Sequence, residues 1–377
     1  MTNDASRIDA NSMNDKSQSR VQVAVIGGGI AGLACAWALL RRGANVCVFE
    51  AGEAGRGALW ASGGMLAGGF ECAESQSGEA FVELAQRGME LWHDWAQTLG
   101  RSAIGFRASG VMVPANSESG IRDLEAMKKC ASSQGVKTEW RSDLPEDINA
   151  ATGLYFPDDG ELDNRLLGHR LIEIVRSAGG RIREQARVQA VTPLRSRIEV
   201  RMTEYVERFD QIVLATGHSI GDFGDFESAV QHIRPVKGQM LSVTPGDIAL
   251  PFCLRAKDIY CSQKRDGRIV IGASSEFDKK NDAVDRAVID GLRRRAESWI
   301  PSLQRHKELE CWSGVRPSTP DGRPILGPGK RPGVHLALGL YRNGVLLAPA
   351  VAEIVADAVL ADKAVPAEFQ ATRFNSR

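Results

Sequence analysis

The period of the apolar positions changes several times along this chain, and each change marks an element. VQVAVI at 21–26 is an unbroken, largely β-branched run, the composition of a parallel strand buried on both faces. GGGIAGLACAWALLRRG follows, and NVCVFE at 45–50 repeats the buried-strand pattern. Strand, glycine-rich turn, helix, strand is one βαβ unit. Phe81, Leu84, Leu91, Trp92 and Trp95 then recur at helical spacing, which predicts a helix with one face in the core.

Residues 111–160 carry short strand signals, a charged helix near 121–132 and turn-rich stretches such as FPDDGELD. A helix at 165–177 precedes strand-like runs RIREQ, RVQAV and RIEVRM. DQIVLATGH is another apolar strand, ending in Thr-Gly, where the nucleotide-binding framework is expected to resume. Residues 232–273 read as antiparallel strands, two of them joined by a KRDG turn, and can wall a pocket. The charges crowding 282–297 predict a solvated helix face. The chain closes on WSGVRPSTPDGRPILGP, a strand VHLALG and a helix after Gly344.

A length of 377 residues exceeds the usual single core, so two lobes with a ligand between them are expected. Lys plus Arg and Asp plus Glu both number 47; no net field draws nucleic acid or an anionic membrane, and neither is expected as a partner. The most apolar late run, 345–360, is broken by Glu353 and Asp357 and reads as too short to span a bilayer. Residues 1–20 lack the apolar centre of a signal peptide and are expected to form a disordered leader. The 7 cysteines form an odd set without a Cys-x-x-Cys pair, which predicts a reduced, cytoplasmic protein without a metal centre. None of the 6 histidines has triad or ligand spacing.

Gly27, Gly29 and Gly32 form Gly-x-Gly-x-x-Gly between a strand and a helix. Glycine there permits a tight turn, close approach of a pyrophosphate, and close helix packing. Amides at the helix start would meet the phosphates. Glu50 closes the second strand, where a carboxylate can accept hydrogen bonds from ribose hydroxyls. This predicts a dinucleotide without separating FAD from NAD.

The segments AGEAGRGALWASGGMLAGGFE, WSGVRPSTPDGRPILGP and LGLYRNGVLLAPAVAEIVADAV, with IRPVKGQM, GRIVIGAS and LATG in matching order, closely resemble the glycine oxidase family, the thiamine-pathway branch of the D-amino-acid oxidase flavoproteins. The resemblance runs from Val21 to about residue 365 and implies an α/β, two-lobe flavoprotein. Its Rossmann-like FAD-binding domain would comprise 21–75, 150–225 and 310–365, and a mixed, largely antiparallel substrate domain 76–149 and 226–309. It implies FAD contacts at Ile30, Ala31, Glu50, Ala51, Ala58, Leu59, Gly63, Gly64 and Met65. Val188 would hold the adenine side, and the run Leu340, Tyr341, Arg342, Asn343, Gly344, Val345 and Leu346 would approach the flavin with a helix start. Pro349 is expected in that helix's first turn, where no donor is lost.

The resemblance also assigns Arg316 and Arg342 to the carboxylate of a small amino-acid substrate, with Tyr260 assisting, and no side chain as a strong base. Hydride leaves the α-carbon, the resulting imine is hydrolysed, and dioxygen takes the electrons to give hydrogen peroxide. Leu340 and Asp258 stand where histidines are frequent and Ser275 where a methionine is, so sarcosine and small D-amino acids join glycine as expected substrates. The position that carries covalent flavin in related sarcosine oxidases falls at Gly314, with Cys311 nearby, which predicts non-covalent FAD. A homo-oligomer is expected. Two alternatives of the same fold remain: an amino-acid dehydrogenase using another electron acceptor, and the flavin module of a tRNA-modifying enzyme.

Overall fold

The computed structural model describes residues 20–74, 78–219, 223 and 226–374; the expected leader, apart from Arg20, lies outside them. The βαβ unit forms where the spacing places it, as strand Gln22–Ile26, helix Ile30–Arg41 and strand Asn45–Phe49. The strands pair in parallel, from Gln22 opposite Asn45 to Ile26 opposite Phe49. They sit in a 6-stranded sheet ordered Ile325–Pro328, Val334–Leu338, Gln211–Leu214, Gln22–Ile26, Asn45–Phe49, Arg181–Arg183. Only the edge pair Ile325–Pro328 with Val334–Leu338 is antiparallel.

The unbroken apolar runs have a physical reason in the two covered faces. Alternate residues of a strand point to opposite sides. Val23, Val25, Val46 and Val48 enter a core with the helices, while Ala24, Ile26, Cys47 and Phe49 enter another with Val191, Ile198 and Val200 of a small 3-stranded sheet. The stripe predicted from Phe81 to Trp95 lies on helix Glu79–Leu99 and is buried throughout.

The last helix, Gly344–Ala361, packs against both Ile30–Arg41 and Glu79–Leu99. Together with the turn before it, it is long and apolar enough to cross a bilayer, contrary to the expectation from its length. Its apolar character is used inside the fold, where residues 345–352 are buried without a break. Pro349 also falls deeper than expected, in the helix interior. A proline there leaves the carbonyl four residues earlier without its partner. The Trp92 indole takes that place, donating to Val345 O at 2.9 Å and Leu346 O at 3.1 Å.

A 9-stranded sheet stands over the nucleotide half, built on strand Arg234–Val243, which pairs along its length with Glu308–Ser318. Ile269–Gly272, Ile259–Gln263, Cys253–Ala256, Val111–Ala115 and Thr152–Phe156 continue it. Thr152–Phe156 and Glu308–Ser318 pair in this sheet, although the resemblance implies that residues from 150 and from 310 belong to the FAD-binding domain. Apolar alternation announces a strand but not its distant partner. Helix Arg286–Trp299 packs on this sheet through Ile289, Leu292 and Ala296 and begins at Asp285, whose carboxylate accepts from Ala287 N at 2.9 Å.

Candidate active site

The carboxyl ends of three parallel strands, Gln22–Ile26, Asn45–Phe49 and Gln211–Leu214, lead into a cavity of about 720 Å³. The open ends of such strands are where nucleotides bind in this type of sheet. The opposite wall comes from the 9-stranded sheet, through Gly238, Met240, Tyr260, Gly314 and Arg316.

At the nucleotide end the three motif glycines do different things. Gly27 has φ +110, and a Cβ on it would lie 2.2 Å from Ala215 O. A Cβ on Gly32 would lie 1.9 Å from Gly27 O, so this glycine lets the helix seat on the strand turn. Gly29 alone has nothing within 4 Å of that position and leaves room for a ligand. The helix begins there with no side-chain cap, so its first amides are free for a diphosphate. Glu50 accepts from Gly28 N and Gly52 N, each at 2.8 Å and each on a different oxygen. Each oxygen retains a second lone pair for a ribose hydroxyl. This cradle fits a dinucleotide.

The middle of the cavity is walled by Ala58, Leu59, Gly63, Gly64 and Met65. Buried Lys264 fixes this stretch by donating from Nζ to Gly63 O at 2.7 Å and Leu162 O at 2.8 Å. Burial lowers the pKa of the ammonium, and Glu161 and Asp163 oppose that shift. In a trans peptide the carbonyl and the next amide point opposite ways, so this clamp aims the Gly64 N–H away from Lys264.

Tyr260, Arg316 and Arg342 come together in another part of the cavity, while the helix start at Gly344 reaches back to the cradle, where a Cβ on it would lie 3.3 Å from Ile30 Cγ2. The Tyr260 ring lies between two glycines, since a Cβ on Gly63 or on Gly272 would approach within 2.5 Å or 2.7 Å of it. Its hydroxyl lies 3.3 Å from Met240 Sδ, and burial raises its pKa. Gly238 makes space for Arg316 in the same way, as a Cβ there would lie 2.4 Å from Nη2. Arg316 donates to Ser274 O at 3.1 Å. Burial lowers its pKa, Tyr260 and Tyr341 oppose that, and the charges of Arg342 and Arg255 lower it further.

Arg342 is in a different state. Its Nε donates to Glu71 Oε2 at 2.9 Å and its Nη2 to Glu74 Oε2 at 2.7 Å. Burial opposes its charge, but the two carboxylates outweigh burial and raise its pKa. Beside it Tyr341 holds φ +48, a left-handed conformation that side chains rarely adopt.

Most expected residues wall the cavity: Gly27, Gly29, Ile30, Ala31, Glu50, the 58–65 contacts, Tyr260, Arg316 and 340–345. Gly32, Ala51, Val188 and Leu346 do not. Gly32 acts through packing, Val188 is buried in the core with the small sheet, and the Leu346 carbonyl belongs to Trp92. Gly28, Thr216, Gly217, His218, Arg255 and Ser274 wall it without having been picked out. For 216–218 the signal was present, in the Thr-Gly that ends DQIVLATGH. None of the cysteines lines the cavity. Cys311 and Gly314 differ by an odd number of places on strand Glu308–Ser318, so their positions face opposite sides.

A doubly covered parallel sheet, a nucleotide cradle at its strand ends and a second sheet closing over an arginine-bearing pocket define a flavin-type oxidoreductase. The chain belongs to the DAO family of FAD dependent oxidoreductases, whose model matches residues 22–358. It is 28% identical to the glycine oxidase of Bacillus licheniformis, over 91% of this chain and 94% of that protein. It is 30% identical to the bifunctional protein ThiO/ThiG of Nostoc sp., covering 91% of this chain but 53% of that longer protein. Its fold is similar to the crystal structure of glycine oxidase from Geobacillus kaustophilus, with a TM-score of 0.87, 29% identity, and 94% of this chain and 99% of that one covered.

Proposed function

We propose that this protein oxidises the carbon–nitrogen bond of glycine, with dioxygen as electron acceptor, giving the imine and then glyoxylate, ammonia and hydrogen peroxide. The observation that carries the reading is the Arg316 guanidinium, held in the cavity by Ser274 O and Gly238 with its remaining donors open to a ligand. A guanidinium fork binds a carboxylate through two parallel hydrogen bonds. Anchoring the carboxylate sets which α-hydrogen faces the middle of the cavity.

Bound FAD supplies the two-electron acceptor and passes the electrons to dioxygen. The chain's own contribution is placement. The Gly64 side of the Lys264-clamped peptide and the uncapped start of helix Gly344–Ala361 border the place where the reacting ring fits. A helix start there favours negative charge in the reduced state. Tyr260 closes the wall beside the carboxylate. Neutral substrate amine supplies the electron push, so no side chain acts as a strong base.

Similarity to glycine oxidases and to a ThiO/ThiG protein supports supply of the glycine imine to the thiazole of thiamine as the physiological role. Arg342 joins Arg316 at the carboxylate when it leaves Glu71 and Glu74. A cytoplasmic homo-oligomer remains the reading for location and assembly. Peroxide release with glycine, sarcosine, D-alanine and D-proline tests the assignment, and a flavin that none of them reduces anaerobically overturns it.

A further inference from the structure

Two arginines at the substrate end, Arg316 and Arg255, have no carboxylate partner among the described residues. Four arginines line the cavity: Arg295 comes from helix Arg286–Trp299, and Arg342 is paired with Glu71 and Glu74. Arg316 and Arg255 form no ion pair among the described residues and donate only to backbone carbonyls. Arg255 stands on strand Cys253–Ala256 directly opposite Tyr260. Its Nη1 caps the following turn at the carbonyls of Ala256, Lys257 and Ile259. Its Nε is buried with no partner, and its Nη2 has no hydrogen bond among the described residues.

The Arg255 guanidinium carbon lies 5.1 Å from the centre of the Phe70 ring, and the residue walls the same cavity as Arg316. Stacking on an aromatic face keeps a guanidinium in place while its edge stays free for an anion. Lys257 and Asp258, on the turn beside it, also line the cavity and offset each other. A monocarboxylate on Arg316 would leave Arg255 uncompensated in a partly dry cavity, where an unpaired charge is costly.

We propose that Arg255 forms a second anion subsite, so that the cavity prefers small amines carrying two carboxylates over otherwise similar amines carrying one. This rests on the reading that Arg316 takes the α-carboxylate. The chemistry is unchanged: the α-carbon would lose its hydrogen as hydride and the nitrogen a proton to leave an imine, and with FAD bound the two electrons and two protons would end on dioxygen as hydrogen peroxide.

The test titrates the FAD-loaded enzyme with unreactive acids and follows the flavin absorbance. Malonate and succinate should bind about tenfold more tightly than acetate and propionate, as one added charge-assisted pair implies. Arg255→Met should bring that ratio close to one, and Arg255→Lys should restore part of it. Equal affinities in the unaltered enzyme, or an unchanged ratio in Arg255→Met, overturn the proposal. If Arg255→Met fails to accumulate, the ratio in the unaltered enzyme and in Arg255→Lys decides alone. A dicarboxylate preference without turnover of any amine condemns the oxidase reading and leaves the subsite standing, whereas glycine turnover without the preference does the reverse.

Discussion

The two ends of the cavity are built from different material. At the nucleotide end the chain offers backbone: the amides beginning helix Ile30–Arg41, an open glycine at 29, and Glu50 tied to its own main chain at Gly28 and Gly52. At the substrate end it offers side chains from three separate regions, Tyr260, Arg316 and Arg342, seated against Gly63, Gly238, Glu71 and Glu74. Backbone contacts come with a local turn and fail all at once when the turn fails. Side-chain contacts depend on many long-range pairings and fail one at a time.

Gly32→Val probes the first kind most severely, because the new Cβ would press on a backbone carbonyl, Gly27 O, at 1.9 Å. The purified variant should carry no flavin absorbance and melt well below the unaltered protein. Stoichiometric FAD in it would break the contrast. At the other end Arg316→Met should leave FAD in place and lower kcat/KM for glycine roughly 100-fold, about 3 kcal/mol for truncating a buried charged partner. Loss of flavin together with activity would show that the ends are not separable.

The sheet that carries the nucleotide end has its own signature in pH. His335 is buried on strand Val334–Leu338, with Nε2 at 3.0 Å from Gln211 Oε1 and Nδ1 unpartnered. Burial lowers its pKa to about 4. The unfolded chain takes up the proton near pH 6.5 while the native state resists it, so stability should fall as pH drops from about 6.5 to about 4, by up to about 3 kcal/mol. Thermal melts across that window should show the slope, and His335→Leu should flatten it.

Smaller effects distinguish the side chains at the substrate end from one another. Tyr260→Phe removes a hydroxyl whose hydrogen-bond neighbour among the described residues is the Met240 sulfur. It should lower kcat/KM for glycine fivefold to tenfold, about 1 kcal/mol, with the melting temperature unchanged. Glu71→Gln removes the charge of a buried carboxylate from Arg342, which is itself partly exposed and stays paired with Glu74. If Arg342 serves the substrate as well as the glutamates, the KM for glycine should fall two- to threefold, and an unchanged KM would restrict Arg342 to fastening the 68–74 helix.

The same contrast governs what could be read in advance. The cradle was legible because its parts are adjacent in the chain: a β-branched run, glycines at fixed intervals, a helix pattern and a carboxylate at the next strand end. Arg316, Arg342 and Tyr260 came from resemblance, and their walls of the cavity agree with it, but nothing local distinguished Arg316 from Arg342. Arg255 and Ser274 escaped notice for a related reason: an arginine in RAKDIY and a serine in GAS look like ordinary surface residues until the 9-stranded sheet turns them inward.

The sequence by itself determined the βαβ unit, the buried stripe from Phe81 to Trp95 and the nucleotide end, since each depends on periodicity or on turn chemistry within a few residues, while the two-lobe class rested on chain length and on family resemblance. Tertiary structure alone decided which arginine is paired with carboxylates and which is not. That outcome hangs on where Glu71 and Glu74 land beside Arg342, and on the pairing of Glu308–Ser318 with Arg234–Val243 that sets Arg316 against Gly238. It also decided that the carbonyl left open by Pro349 would be met by Trp92. Contacts between residues hundreds of positions apart leave no periodic trace in the chain, and only the packed fold brings them together.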